Sequence, residues 1–358
     1  MNPYPQLPWF DEDRKQLANV QARGVHAVLL FGARGMGKKS LALDLAADLL
    51  CEARVAGRAC GACAGCALMR ADNHPDLRVV VPQALAQWRA RGAGDDDEVA
   101  TSQAATATDS ADPDKRESRE IAIEQVRQLG PFLSVTAHRG GLKVVVLAPA
   151  DALGIAAANA ALKILEEPPP ETFFILCTDA IDEVLPTIRS RCMLYRIGSA
   201  PTGLAAQWLS EQGLKDPEQC LAGSGGAPLE ALSEANDERS QAVLTALAQW
   251  LVSGPTAQIG SIAGLAIPKV FHAAIAIRMF QRWGWDLLAH RQGAAIRYHP
   301  QQAERLQTIA RRVSSDQALF QWHERLSALR RESLHPALNA KSLIEQALIG
   351  YVGLFVQH

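Results

Sequence analysis

At 358 residues, with 48% hydrophobic and 21% charged residues, the chain has the composition of a globular protein of two or three domains. Its net charge of -2 gives no overall basic surface of the kind that argues for direct nucleic-acid binding, although a local basic face fits within that total. No basic leader followed by an apolar run opens the chain, and charges interrupt its apolar stretches. Neither a signal peptide nor a membrane span is therefore predicted, and a cytoplasmic location with reduced cysteines follows.

Residues 27–31, AVLLF, predict a buried parallel strand. They lead into G-A-R-G-M-G-K at 32–38, which fits the first seven positions of the phosphate-loop pattern GxxxxGK[ST]. In such a loop Gly32, Gly35 and Gly37 let backbone N–H groups turn into an anion-sized hollow at a helix N-terminus, and Lys38 reaches terminal phosphates. The eighth position, normally a hydroxyl that holds Mg²⁺, is Lys39, which cannot ligate a metal. A helix is predicted over 38–50, with Leu41, Leu45 and Leu49 on one face.

Cys51, Cys60, Cys63 and Cys66 follow at the spacing C-x8-C-x2-C-x2-C. Two-residue gaps let neighbouring thiolates converge on one cation, and four thiolates complete a closed tetrahedral Zn²⁺ site. Gly57, Gly61 and Gly65 permit the tight turns such a knuckle needs. A closed site argues for structure rather than catalysis. The alternatives are an iron–sulfur cluster or unliganded thiols. His74 lies nearby but is not needed as a ligand, and Cys177, Cys192 and Cys220 are dispersed and read as buried thiols. A nucleic-acid-binding knuckle is a weaker reading, since the segment offers only Arg54, Arg58 and Arg70 and no interleaved aromatics.

Three more strands are predicted at 77–81, 142–147 and 172–177, with a helix over 155–166 that stops at Pro168-Pro169-Pro170. Strand–helix alternation of this kind implies a parallel sheet covered by helices. The third strand runs into Ala148-Pro149, where a nucleotide hydrolase would carry acids for metal and water. Without metal ligands the charge of a triphosphate is poorly neutralised, which favours a retained packing turn over ATP binding, and Mg²⁺ is not expected. An active ATPase would need acids from elsewhere, such as Asp151. Residues 89–120 lack apolar periodicity and predict a disordered acidic insertion. Beyond Arg196 strands stop, and helices are predicted over 204–212, 241–252, 269–290, 302–313, 317–331 and 343–356, with breaks at 223–226 and 254–255. The run Phe280-Gln-Arg-Trp-Gly-Trp285 suits either core packing or a subunit contact.

Together the phosphate loop, the four-cysteine knuckle, Asn159-Ala-Ala-Leu-Lys-Ile-Leu-Glu-Glu-Pro-Pro169 and Ser190-Arg-Cys192 resemble the bacterial DNA polymerase III clamp-loader family within the AAA+ ATPases. Asn73-His-Pro-Asp76, residues 121–127 and the stretch 334–345 add family-like segments. The resemblance implies an α/β AAA+ domain over 1–198 with a parallel sheet, an inserted zinc module at 51–70 and the insertion 89–120. A small helical lid would follow over 199–240, and an all-α collar for ring formation over 241–358. Motor subunits of this family keep a complete phosphate loop, an acidic pair after the second motif strand and a nucleotide-sensing lid arginine. Here those positions hold Lys39, Ala148-Pro149 and Gly226, and the chain ends soon after the collar. The resemblance therefore implies the rigid, non-hydrolysing member of a five-subunit ring, with gamma/tau motor subunits and a delta subunit as partners. It would act on the sliding clamp and primer-template DNA through that complex. It also assigns to Arg191 the role of an arginine placed in trans in a neighbour's ATP site. An active AAA+ motor of the same loader is the alternative.

Overall fold

The computed structural model describes residues 7–18, 20–85, 120–139, 141–256, 267–268, 271–333 and 338–356. The predicted insertion 89–120 lies outside them except for its last residue, as do 269–270 of a predicted helix and 334–337 of the C-terminal family-like stretch. The chain forms two compact units, Met1–Trp208 with Ala227–Glu230, and Leu209–Gly226 with Ala231–His358.

The first unit is built on five parallel strands: β1 Ala27–Phe31, β2 Leu77–Val80, β3 Lys143–Leu147, β4 Thr172–Thr178 and β5 Met193–Arg196. Their order across the sheet is β2-β3-β4-β1-β5. The three central strands are near-continuous apolar runs because both sheet faces are covered. The edge strand β2 instead mixes buried with exposed positions, and β5 alternates half-buried with exposed ones. Successive side chains point to opposite faces, so Ala27, Leu29, Val145, Leu147, Phe174 and Leu176 share one core. They pack with helices that include Ile123–Arg127, Leu129–Ser134 and Ile155–Glu166.

The helix after the glycine loop covers the other face. In chain order the helices of this part are α1 Asp11–Leu17, α2 Lys38–Leu50, α3 Ala64–Arg70, α4 Ile123–Arg127, α5 Leu129–Ser134, α6 Ile155–Glu166 and α7 Pro186–Arg189. α2 packs on β3 and β4, and the Cys177 thiol donates to the Lys38 carbonyl at 3.8 Å. The sequence predicts one apolar face for α2, but the structure buries nearly its whole circumference, including Asp44 and Asp48. The cause is cationic cover. Arg14 of α1 contacts Asp44 Oδ2 through Nε at 3.1 Å and Nη2 at 2.9 Å, and Arg58 stands 3.2 Å from Asp48.

The remaining helices are α8 Thr202–Glu211, α9 Pro217–Gly223, α10 Pro228–Asn236, α11 Glu238–Ser253, α12 Ala273–Arg291, α13 Ala303–Ala310, α14 Asp316–Glu332 and α15 Ala340–Gly353. α11, α14 and α15 begin one to three residues before their predicted starts because Asp237, Ser315 and Asn339 cap them with side-chain acceptors. The second unit has its own core, in which Phe280, Trp283, Trp322 and Tyr351 are fully enclosed. Trp283 Nε1 donates to the Tyr351 hydroxyl at 3.2 Å, which donates to the Leu251 carbonyl at 2.7 Å. Gly284 and Gly350 leave room for the Trp322 ring, since a Cβ at either would lie within 3 Å of it. The aromatic run 280–285 is thus divided: Phe280 and Trp283 are core, while Trp285 is 49% exposed. Asp286, wholly buried, accepts from the backbone N–H groups of Arg297, Tyr298 and His299 and so fixes that loop. Among the described residues no helix is long and apolar enough to cross a membrane.

Candidate functional site: a packed phosphate loop, a four-cysteine cluster and an edge arginine

The phosphate loop joins β1 to α2, as the pattern requires. Gly35 and Gly37 adopt φ of 72° and 90°, a left-handed conformation that favours glycine. Both are also closed in by the chain itself. A Cβ on Gly35 would stand 2.7 Å from Glu230 Cβ and one on Gly37 2.3 Å from Leu7 Cδ1. The Gly35 carbonyl accepts from Leu229 N–H at 3.1 Å, and Trp9 Nε1 donates to the Met36 carbonyl at 3.0 Å. Gly32 abuts the Ile197 carbonyl in the same way.

Lys38 does not point into open space. Its ammonium donates to the carbonyls of Gly32 at 3.0 Å and Ala33 at 2.7 Å and pairs with Asp179 Oδ1 at 2.5 Å. Asp179 follows β4, which lies beside β1 in the sheet. That adjacency is tertiary, and the sequence reading missed Asp179 for this reason. Lys39 is also buried. At the end of β3, Ala148 is buried and followed by Pro149, so no carboxylate stands there. Asp151 sits in the short turn beyond and accepts from Thr178 Oγ1 at 2.5 Å.

The four cysteines do come together. Their Sγ atoms all lie within 4.8 Å of one another, and Cys51 and Cys63 are 3.8 Å apart. The edge of a tetrahedron with Zn–S bonds of 2.3 Å is about 3.8 Å, whereas a disulfide needs about 2.05 Å. The residues therefore fit a tetrahedral thiolate-held ion. Backbone N–H groups already face the sulfurs: Cys60 N–H to Cys51 at 3.2 Å, Cys63 N–H to Cys60 at 3.3 Å and Cys66 N–H to Cys63 at 3.4 Å. Burial pushes the Cys66 thiol up to about 12, helped by Cys63, and burial also raises Cys51. Burial opposes ionisation of Cys63 too, but N–H donors from Cys66 and Glu52 outweigh it and bring that thiol down to about 6. The N–H groups of Ala62 and Cys63 lower Cys60.

Asp48 ties this module to α2. Its Oδ1 accepts from Ala59 N–H at 2.7 Å, next to Cys60, and its Oδ2 faces Arg58. The three arginines of the segment serve the module's own structure: Arg58 in that pair, Arg54 on the Leu49 carbonyl and Arg70 on the Gly61 carbonyl. His74 is buried, accepting from Asp76 N–H at Nδ1. Asp76, also buried, accepts in turn from the backbone of His138 and Arg139.

Arg191 lies at the far edge of the sheet, between α7 and the edge strand β5. Cys192 points inward and packs in the sheet core, where burial pushes its thiol up to about 12. Cys177 is buried as predicted, whereas Cys220 is only half-buried. The Arg191 side chain is 32% exposed. It donates from Nη1 to the Thr187 carbonyl at 2.9 Å and to Ser190 Oγ at 3.3 Å, and from Nη2 to Glu166 Oε1. Gly226 sits in the left-handed turn between α9 and α10.

A five-stranded parallel sheet with a glycine loop between its central β1 and a covering helix defines an α/β protein of the phosphate-loop class, with an inserted four-cysteine module. A family profile described as "DNA polymerase III, delta subunit" matches residues 14–201. The DNA polymerase III subunit delta' of Pseudomonas aeruginosa is 36% identical over 63% of this chain and 60% of that protein. The DNA polymerase III subunit delta' of Escherichia coli is 33% identical over 69% of this chain and 67% of its own length. The chain belongs to the family of DNA polymerase III delta' subunits. Its match spans about three fifths of the length of the Pseudomonas protein. Among solved structures, a gamma subunit-related DNA polymerase III protein of Thermotoga maritima aligns over 96% of this chain and 99% of that one, at 16% identity and a TM-score of 0.42.

Proposed function

We propose that the chain is a non-hydrolysing subunit of the DNA polymerase III clamp loader, helping to place the sliding clamp on primer-template DNA during replication. It works beside gamma/tau motor subunits and a delta subunit in a five-membered cytoplasmic ring, with residues 199–240 as lid and 241–358 as collar. One structural Zn²⁺ is held by Cys51, Cys60, Cys63 and Cys66, and the ion supplies cross-linking of the module rather than chemistry. Arg191 enters the ATP site of a neighbouring motor subunit, where a guanidinium offsets charge on the transferred phosphoryl group.

The observation that carries the non-hydrolysing reading is the filled phosphate loop. Two loop carbonyls and Asp179 already neutralise the Lys38 ammonium, and Leu7 and Glu230 press on the loop glycines. A triphosphate would have to displace these contacts without a metal-binding hydroxyl or a strand-end acid to compensate. The test is equilibrium binding of ATP to the isolated chain with and without Mg²⁺, with hydrolysis followed in the same sample. No binding, or weak Mg²⁺-independent binding without turnover, is the expected result. Tight Mg²⁺-dependent binding with steady turnover would replace this reading with that of a motor subunit. In the reconstituted complex, Arg191→Ala is expected to leave the subunit folded and to slow turnover at the adjoining site, by about 10³- to 10⁵-fold if the arginine acts as trans fingers do elsewhere.

A further inference from the structure

We propose that Glu166 is a positioning residue for Arg191, holding its guanidinium in the orientation in which it meets the neighbouring subunit's nucleotide. This inference rests on the trans-arginine reading above and names the group that makes the arginine effective.

Guanidinium carries five N–H donors in a fixed planar fork. Three are engaged within the chain, two from Nη1 by Thr187 and Ser190 and one from Nη2 by Glu166. The first two anchors come from Arg191's own turn, and they fix one end of the group. Glu166 is the only one of the three from a different element, so it is the contact that sets the plane of the fork. Two N–H groups remain, one on Nε and one on Nη2, with no partner among the described residues, and charge-assisted donors of this kind suit phosphoryl oxygens.

Glu166 occupies a place that its own helix does not favour. It ends α6, where the helix dipole is negative and a carboxylate is repelled rather than attracted. Glu167 and three prolines follow at once, so the helix stops there and the carboxylate is held over the α7–β5 turn. The ion pair it forms is partly exposed, at 32% for Arg191 and 48% for Glu166. Pairs this exposed add little to stability. What the pair does supply is restriction of a long, rotamer-rich side chain before its partner arrives, and pre-ordering of that kind lowers the cost of the productive encounter.

The experiment uses the full complex reconstituted with motor and delta subunits, and compares wild type, Glu166→Ala, Glu166→Gln, Arg191→Ala and Glu166→Ala/Arg191→Ala. For Glu166→Ala the expected result is a fall in kcat for ATP of about two- to tenfold, the cost of ordering one such side chain. KM, ring assembly by gel filtration and the subunit's thermal unfolding should not change. Glu166→Gln, which keeps the shape and one acceptor oxygen, should recover part of the loss. In the Arg191→Ala background the second substitution should have no further effect, because the two residues act as one unit. If Arg191→Ala slows turnover but Glu166→Ala does not, the positioning role is wrong and the trans arginine stands. A faster Glu166→Ala complex would mean that Glu166 restrains the arginine, and this too overturns the proposal. So would a further loss in the double variant. Unchanged turnover in Arg191→Ala removes the trans-arginine reading itself, and the positioning role with it.

Discussion

Asp48→Ala should loosen the metal module without touching a single cysteine. In the native chain the Asp48 carboxylate accepts the Ala59 N–H at 2.7 Å and faces the Arg58 guanidinium, so residues 58–59 are clasped to α2 immediately before Cys60 of the cysteine cluster. Alanine removes both contacts and strands a partly buried donor, at a cost of about 1–3 kcal/mol. If that cost falls on the closed, metal-ready arrangement, zinc affinity drops by about 10- to 100-fold, since about 1.4 kcal/mol is a factor of ten. Outer partners of metal ligands have effects of the same order, about 10- to 100-fold. Asp48→Asn keeps an acceptor for Ala59 but not the charge facing Arg58, so it should fall between. The assay is competition for Zn²⁺ against a chromophoric chelator, with metal content by elemental analysis. Thermal unfolding at saturating Zn²⁺ separates a local effect from general loss of fold. Wild-type zinc affinity and release rate in Asp48→Ala would refute the reasoning, because the clasp would then be irrelevant to the site it adjoins.

Two further outcomes follow from the same region. Zinc binding should expel protons, because burial keeps Cys66 and Cys51 protonated in the metal-free cluster, Cys66 up to about 12. The metal-free state holds the extra protons, so acid favours it. Affinity should fall as pH falls, by about two logarithmic units per pH unit near neutrality if both thiols give up their protons; a flat pH profile or the visible absorbance of an iron–sulfur cluster would count against the zinc assignment. One turn earlier on the same face of α2, burial outweighs the attraction of Arg14 and holds Asp44 up at about 6, so the pair is costly to keep but costlier to break. Asp44→Asn should lose about 3–5 kcal/mol in denaturant unfolding, and Arg14→Met/Asp44→Leu should restore most of it. A neutral Asp44→Asn would show that Asp11, already 2.9 Å from Arg14 Nη1, suffices to hold the guanidinium.

What the sequence made legible is local or periodic. The central strands are near-continuous apolar runs because both faces are buried, so residues 27–31 mark β1 to the residue and 142–147 mark β3 within one position. The cysteine cluster could be read because its four members fall within sixteen consecutive positions. The parts that escaped depend on partners brought together by topology. Arg14 meets Asp44 across 30 positions, His138 meets Asp76 across 62, and Lys38 meets Asp179 only because β4 neighbours β1. The burial of the rest of α2 also escaped periodicity. Its charged residues look like a solvent face, but each is covered by an oppositely charged side chain or by the chain itself, and no pattern within 38–50 records that.

One helix carries both remnants of chemistry in the first unit. α2 begins at the phosphate-loop lysine and is followed directly by Cys51, with Asp44 and Asp48 between them fastening α1 and the metal loop. A helix buried on all sides and tied at four levels cannot shift at one end without disturbing the others. A hydrolysing subunit needs a loop that opens and closes around nucleotide. Here the loop glycines are wedged by Leu7 and Glu230, and the lysine is held by its own backbone. Under the proposed reading these features belong together. Zinc at one end and packing at the other make a fixed body, and the group left to act is at the sheet's edge, where Arg191 stands half-presented on its Glu166 tether. A rigid body suits that task, because an arginine offered to another subunit's nucleotide is useful in proportion to how little it moves before it arrives.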